Sequence, residues 1–429
     1  MKVLVVGGGG REHALCWKFA RSASVDDVIA APGNPGIEAV ARCVPVDAKD
    51  AGALARLADE VGADLVVPGS EETLVRGVVD AVRQHGRDAF GPSAAAARLE
   101  GSKAWMKEVA AAAGVPTARH AAFGETDEDA ALAFLESLDG LYVVKTDGLA
   151  AGKGVVVTES IAAARDAVRA YLSGDAFGDA GRTLVIEEGM RGPELSLLVV
   201  CNGDVDGAAP LAPAQDFKRV GDDDAGPNTG GMGAYSPVPI AGDDVVDVVM
   251  DRAVRPTLRE LASRGIEYRG ILYAGLMLTT EGPKLVEYNV RFGDPECQVV
   301  VPRLTTDLGE LCLAAARGTP LPEVRCARES WVTVVLASEG YPSSPRTGDV
   351  IEGLDAAAAV PGVNVFHAGT ARDADGRLVT SGGRVLNVTA AAETLSEARA
   401  RAYEAAGLIT WPGVHFRRDI AAEAAQVPA

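Results

Sequence analysis

The stretch Lys284–Phe292 reads K-L-V-E-Y-N-V-R-F, and side chains along a strand alternate between its two faces. Leu285, Glu287, Asn289 and Arg291 then share one face, and Val286, Tyr288, Val290 and Phe292 the other. Three polar groups in front of an apolar back suggest the wall of a site. Glu287 and Asn289 offer hard oxygen atoms two residues apart, which suits a Mg²⁺ that also holds substrate phosphates. Arg291 can grip a carboxylate or phosphate through two hydrogen bonds. The same pattern would also describe an edge strand with its polar face in water.

Four further segments carry chemistry-bearing residues. Lys145 and Lys153 flank K-T-D-G-L-A-A-G-K-G at 145–154, where Gly152 and Gly154 let backbone fold over phosphates. The setting is strand–loop–strand, so this is no Walker loop, and solvated lysines on a surface hairpin are the alternative. Gly7–Gly10 precede Arg11 and Glu12, and N–H groups at the start of a helix can face a phosphate. A glycine run at a tight turn looks the same. Glu187-Glu188-Gly189 ends an apolar strand, with Glu194 close behind, and two solvated glutamates are the plainer reading there. Gln215–Arg219 and the glycine-rich 227–233 lie in one long irregular stretch, of the kind that closes over substrates.

These residues need elements to position them. Val3–Val6, Val28–Ala31 and Leu65–Val67 are short apolar runs, each ended by a Gly- or Pro-rich polar loop, with helical spacing over Arg11–Ser22. That is βαβ repetition with a parallel sheet, and ligands bind beyond the carboxyl ends of such strands. A helical Ala-rich stretch follows at about 94–113. Strands are expected at Leu141–Lys145 and Gly154–Thr158 as a hairpin, at Arg182–Glu187 and at Glu194–Asn202. A second hairpin joins Ile271–Thr279 to Lys284–Phe292. Beyond Pro320 and Pro322 the texture turns β-rich (Trp331–Ala337, Val363–Gly369, Arg384–Thr389), with a late helix at about 395–406.

Composition narrows the function. At roughly 150 residues per domain, 429 residues imply several domains. A net charge of −19 repels nucleic acid and anionic membrane over most of the surface. The six cysteines and five histidines are scattered with no C-x-x-C, which argues against zinc and for reduced thiols in the cytoplasm. No apolar run is long enough to span a bilayer. A dinucleotide fingerprint fails at Glu12, where a glycine is required, and the second strand ends in Ala-Pro-Gly-Asn with no acid for a ribose diol.

Read together, the segments closely resemble the phosphoribosylamine–glycine ligase (glycinamide ribonucleotide synthetase) family of the ATP-grasp superfamily. The resemblance runs from GGGGREHAL at 7–15 and APGN at 31–34 through Lys103 and KTDGLAAGKGV at 145–155. It continues with FGDAG at 177–181, QDFKRVGD at 215–222, GPNTGGMGAYSP at 226–237 and YAGLM at 273–277. RFGDPECQ at 291–298, TGDVI at 347–351, FHAGT at 366–370 and SGGRVLNVT at 381–389 complete it. It implies an α/β and α+β multidomain fold. An N-terminal parallel-sheet domain (1–102) would bind phosphoribosylamine, and a two-part ATP-grasp domain (103–322, with a mobile lid at about 120–190) would clamp ATP. A small β-rich domain (323–429) would complete the site.

The resemblance also assigns roles, position by position. Lys103, Lys145 and Lys153, with Gly152 and Gly154, would hold ATP phosphates. Glu187 and Glu188 would flank adenine, and Glu194 the ribose. Glu287 and Asn289 would bind Mg²⁺ or Mn²⁺. Gly9, Gly10, Arg11, Glu12 and Asn34 would hold the phosphoribosyl group, and Asp216, Lys218, Arg291 and Asp294 would surround glycine and the transferred phosphate. Lys145, Asp216, Lys218 and Arg291 would form the catalytic set. Gly8, Ser70, Thr73, Thr146 and Phe217 depart from the family pattern. The expectation is a monomeric cytoplasmic ligase with small-molecule substrates and no nucleic-acid or membrane partner.

Overall fold

The structure, a computed structural model, describes residues 1–148, 154–173 and 183–427. Its first sheet holds five parallel strands: β1 (Lys2–Gly7), β2 (Asp27–Pro32), β3 (Arg42–Cys43), β4 (Leu65–Pro68) and β5 (Asp88–Ala89), ordered β3-β2-β1-β4-β5. Val3–Val6 are fully buried, as a central parallel strand covered on both faces should be. The chain reverses direction across the sheet at β1, so the loops after β1, β2 and β4 meet at one crevice. The helix Gly10–Phe19 starts at that crevice, and the helix Glu71–Val75 follows β4 there.

The expected helix at 94–113 is two helices, Ala94–Gly101 and Lys103–Ala112. Ser102 stands between them in extended backbone, and its side chain accepts the N–H of Trp105. A side-chain cap competes with continued helix, and here it wins.

The second sheet is antiparallel: β6 (His120–Gly124), β7 (Tyr142–Thr146), β8 (Val155–Thr158) and β9 (Thr183–Glu188), ordered β6-β9-β7-β8. With the helices Glu128–Glu136 and Ile161–Leu172 it encloses a core of its own around Leu135, Val144, Val168, Leu184 and Ile186.

Six strands follow: β10 (Glu194–Asn202), β11 (Ala209–Pro210), β12 (Gln215–Asp216), β13 (Gly233–Ser236), β14 (Arg269–Thr279) and β15 (Gly282–Asn289). The third sheet runs β11-β10-β14-β15, all antiparallel. The other two strands join β16 (Ser330–Ala337), β17 (Val363–His367) and β20 (Arg384–Ala392) in a fourth sheet, β12-β13-β16-β20-β17. Between β17 and β20, β18 (Thr370–Arg372) and β19 (Leu378–Thr380) form a separate ribbon. The fourth sheet therefore takes strands from both sides of Pro320 and Pro322, and the helix Leu395–Leu408 packs on β16 and β20.

One strand differs from its expected alternation. The β14–β15 register shifts at Gly275/Leu276, so Val286 bulges out of the ladder. Leu285 consequently packs in the same core as Tyr288 and Val290, not on the face of Glu287. The strand ends at Asn289, so Arg291 leaves from a turn rather than from the strand.

Candidate active site at the meeting of the sheets

Glu187, at the end of β9, is 2% exposed and lies between two ammonium groups. Lys145 Nζ is 2.9 Å from Oε1, and Lys107 Nζ is 2.9 Å from Oε2. Burial alone would raise the carboxyl, but the charges of Lys145 and Lys107 win and hold it at about 2. The Glu187 carboxylate thus faces lysines instead of standing free for a nucleobase. Glu188 is half-buried and its carboxylate accepts the N–H of Arg119 at 2.9 Å, so it too is occupied.

The loop after β7 is pinned at its start. Asp147 accepts from Ser102 Oγ (3.0 Å) and from the N–H of Ala104 (3.1 Å), and Lys103 Nζ donates to the Gly148 carbonyl (2.8 Å). The N–H of Thr146 reaches the Gly154 carbonyl at 2.9 Å and closes the loop. Gly152 and Lys153 lie outside the described residues, as does the motif at 177–181.

Glu287 on β15 lies 4.0 Å from Lys218 Nζ, which is 2.7 Å from Glu194 at the start of β10. Burial would raise the Glu287 carboxyl, yet Lys218, Lys145, Lys103 and Arg291 together keep it below the usual carboxylate range. Lys218 would lose its proton to burial, but Glu194, Asp216 and Glu287 hold the ammonium well above the ordinary lysine range. Asp216 goes the other way: desolvation, with Glu296, Glu194 and Glu287 nearby, pushes its carboxyl well up against the pull of Lys218. Lys103, Lys145, Glu194, Asp216, Lys218, Glu287 and Arg291 therefore form one charge network across three sheets.

Arg291 is more committed than expected. Its Nε donates to Glu71 (3.2 Å), and its Nη2 to Glu100 (2.8 Å) and Asn289 Oδ1 (3.3 Å). Its Nη1 donates to the Phe292 carbonyl at 3.2 Å. Most of its five donors are spent on protein, so it ties the N-terminal sheet's loops to β15.

Glu12 occupies the first-sheet crevice. Its Oε2 accepts the Gly9 N–H at 2.6 Å, and its Oε1 accepts Arg11 Nε at 2.7 Å. A methyl group on Gly69 would sit 1.9 Å from Oε1, and one on Gly7, at φ +131°, 2.6 Å from Glu12 Cγ. Glycines are required because a carboxylate fills the space. Gly9 is thus spoken for, leaving the first-turn N–H groups of Gly10, Arg11 and Glu12 without intrahelical acceptors. Asn34 is also committed: its amide donates to the Gly8 and His367 carbonyls (2.8 and 2.9 Å), and its oxygen accepts from Gly36 and Ile37. It fixes the crevice rather than offering a free amide.

Asp294 receives Gln298 Nε2 at 2.7 Å and pairs with Arg384 Nη2 at 3.1 Å. Arg384 Nη1 also donates to the carbonyls of Gly230, Gly231 and Asp294. Burial works against ionisation of Asp294, but Arg384 and Arg11 keep it below its ordinary value.

Several residues with parts in this arrangement were not singled out in the sequence: Glu71, Glu100, Lys107, Glu296 and Arg384. Glu71 closes one of the polar loops at a strand end, and Lys107 lies one helical turn beyond Lys103, so spacing could have found both. Glu296 lies in the RFGDPECQ segment, but nothing local announces that it accepts from Tyr273 (2.6 Å) and Ser196 (3.3 Å). Three departures from the family pattern have local explanations. Ser70 caps the helix Glu71–Val75 and bonds Thr73 at 2.7 Å. The Phe217 ring lies 4.9 Å from the Arg417 guanidinium.

Comparison with known proteins completes the picture. The phosphoribosylglycinamide synthetase models match in three pieces: the N domain at residues 1–100, the ATP-grasp (A) domain at 101–297 and the C domain at 331–423. The chain belongs to the phosphoribosylglycinamide synthetase family. A phosphoribosylamine–glycine ligase of Streptomyces coelicolor is 51% identical, covering 99% of this chain and 100% of the relative. One from Brucella melitensis is 49% identical over 98% of this chain and 97% of its own. The crystal structure of phosphoribosylamine–glycine ligase from Thermotoga maritima superposes with a TM-score of 0.83 at 34% identity, covering 98% of this chain and 100% of that one. A biotin carboxylase from Campylobacter jejuni shares the fold alone, at 16% identity and a TM-score of 0.72 over 97% of this chain and 92% of its own. The expected fold is thereby borne out: an N-terminal parallel sheet, a two-sheet ATP-grasp region and a β-rich C-terminal part. Among the described residues no helix is long and apolar enough to cross a membrane.

Proposed function

We infer that this chain ligates glycine to 5-phosphoribosylamine with ATP, giving glycinamide ribonucleotide, ADP and phosphate, a step in purine biosynthesis. The observation that carries the reading is near-full-length identity of about half to ligases of that name, together with one converging set of lysines, carboxylates and Arg291. A glycine carboxylate oxygen attacks the γ-phosphorus and the bond to ADP breaks, giving glycyl phosphate. The phosphoribosylamine nitrogen then attacks that carbonyl, and phosphate leaves.

Phosphoryl transfer asks for positioning and charge stabilisation more than acid–base work. Lys103, Lys145 and Lys153, with Gly152 and Gly154, would neutralise ATP phosphates. Glu194 would meet the ribose, and backbone at Glu187 and Glu188 would meet the adenine. Lys218, held charged by its carboxylates, would sit against the transferred phosphate. Asp216, pushed toward its protonated form, would donate beside it. Arg291 and Asp294 would shape the glycine site, and Arg11 and the N–H groups of Gly10–Glu12 the phosphoribosyl site, framed by Gly9 and Asn34.

The residues present fit a divalent cation. Glu287 is kept ionised and Asn289 adds an amide oxygen, while no group of three or more His, Cys, Asp or Glu side chains suited to a metal occurs among the described residues. A carboxylate, an amide and substrate phosphates match Mg²⁺ or Mn²⁺, which tolerate sparse protein ligation. When bound, such an ion would neutralise charge on the phosphates.

We further propose domain boundaries near 102 and 322, with residues of about 120–190 acting as a lid, and a monomer free in the cytoplasm. The test of function is ADP release by purified protein with ATP, Mg²⁺ and freshly made phosphoribosylamine, with and without glycine. Release that needs both co-substrates is expected. Release driven by bicarbonate or formate instead would keep the fold and discard the reaction.

A further inference from the structure

We infer that Lys107 is a positioning residue for ATP: it acts on Lys145 through Glu187 and ties that pair to the strand bearing Glu287. Lys107 is 2% exposed, so it meets no substrate. Its Nζ has two neighbours. One is Glu187, whose other oxygen holds Lys145. The other is Thr117 Oγ1 at 2.7 Å, which in turn donates to the Leu285 carbonyl at 2.6 Å. Leu285 closes the same link by donating its N–H to the Pro116 carbonyl at 2.7 Å, and it lies two residues before Glu287. A continuous path thus runs from Lys145 on β7, through Glu187 on β9 and the helix Lys103–Ala112, to β15. It joins the two sheets that would grip the nucleotide.

The charges explain why a lysine is needed there. A buried ammonium is costly unless paired, so an apolar side chain would serve packing better. With Lys107 present, Glu187 divides its charge between two ammonium groups, and the trio carries a net charge of about +1 by simple sum of its formal charges. Lys145 then keeps attraction to spare for phosphates. Without Lys107, Glu187 would cancel Lys145 alone, and the pair would be neutral where the nucleotide needs a cation.

The inference rests on the ligase reading, and the experiment separates the two. Steady-state ADP release is measured for wild type, K107M, E187Q and K107M/E187Q, with KM determined for ATP and for glycine. K107M is expected to raise the ATP KM roughly tenfold and leave the glycine KM within about twofold, as lost ground-state contact with one substrate does. K107M/E187Q restores the net charge beside Lys145 and is expected to return the ATP KM to within about threefold of wild type, a rescue expected when the two charges act on Lys145 as a pair. An unmoved ATP KM in K107M, or a double variant no better than K107M, overturns the inference. If K107M does not fold, the double variant, which keeps the net charge of the wild-type trio, is compared with wild type directly. An ATP KM within threefold then supports the inference, and a tenfold rise overturns it. Wild-type protein that releases no ADP with glycine and phosphoribosylamine fails the ligase reading instead.

Discussion

Glu287 and Glu100 are two buried carboxylates with opposite charge behaviour, both acted on by Arg291. Glu287 is held ionised by four cations, as the proposed metal site requires. Glu287→Gln should cut Mg²⁺-dependent turnover by about 100-fold or more while the unfolding transition stays put, since losing a ligand of the cation that neutralises transferred phosphate costs on that order. Near-normal activity would remove Glu287 from the metal site. Glu100 accepts Val290 N–H at 2.7 Å and Arg291 at 2.8 Å, yet burial pushes its carboxyl up to about 7 against the pull of Arg291, with Glu71 adding to the rise. Its folded value lies above its unfolded one. Its contribution to stability is therefore full below the unfolded pKa of about 4.3 and is lost as pH rises through about 7. Glu100→Gln removes that titration. The unfolding free energy of the variant minus that of wild type should shift in the variant's favour by on the order of 3 kcal/mol between pH 4 and 8. A difference that stays flat with pH contradicts the assignment.

At the scale of elements, local pattern was readable in the longer apolar strands, whereas β12 and the buried β13 fall in the stretch read as irregular. Glu194–Asn202 has the expected ends, and the hairpin of β7 and β8 matches to a residue or two. The same rule misread β15, because a bulge at Val286 reverses parity, and only the partner strand β14 reveals a bulge. The split at Ser102 was hidden because its cap bond is strengthened by Asp147, a residue 45 positions away in sequence. Arg384, in the legible SGGRVLNVT segment, gave no hint of its targets, since Gly230 and Asp294 lie 154 and 90 residues distant. It fastens β20 to the glycine-rich loop. Arg384→Ala should lower kcat/KM for glycine or phosphoribosylamine by roughly tenfold or more and change the ATP KM little, the signature of a substrate subsite loosened at one end. An ATP defect of equal size would place Arg384 elsewhere in the mechanism.

For the whole molecule, the order of β-α-β repetition, hairpins and a β-rich end was legible, and so was the family, from motifs spread over the entire chain. The meeting of parts was not. β12 and β13 belong to the C-terminal sheet, through pairings between residues about 100 apart in sequence, and no local periodicity reports such contacts. Likewise the sequence names Arg291 and Asn34 but not the partners that occupy them, because Glu71, Glu100 and His367 come from other parts of the chain. The assembled molecule brings Lys145 from β7, Lys103 from a helix, Lys218 from beyond β12 and Glu287 from β15 into one charge network, which suits the transfer of a phosphoryl group to a carboxylate. The most direct test of that account uses glycine labelled with ¹⁸O in both carboxyl oxygens, with ATP and phosphoribosylamine, and weighs the phosphate released. The account predicts one ¹⁸O in each phosphate and one in the amide product. Phosphate carrying no label, with both labelled oxygens absent from it after full turnover, would contradict a glycyl phosphate.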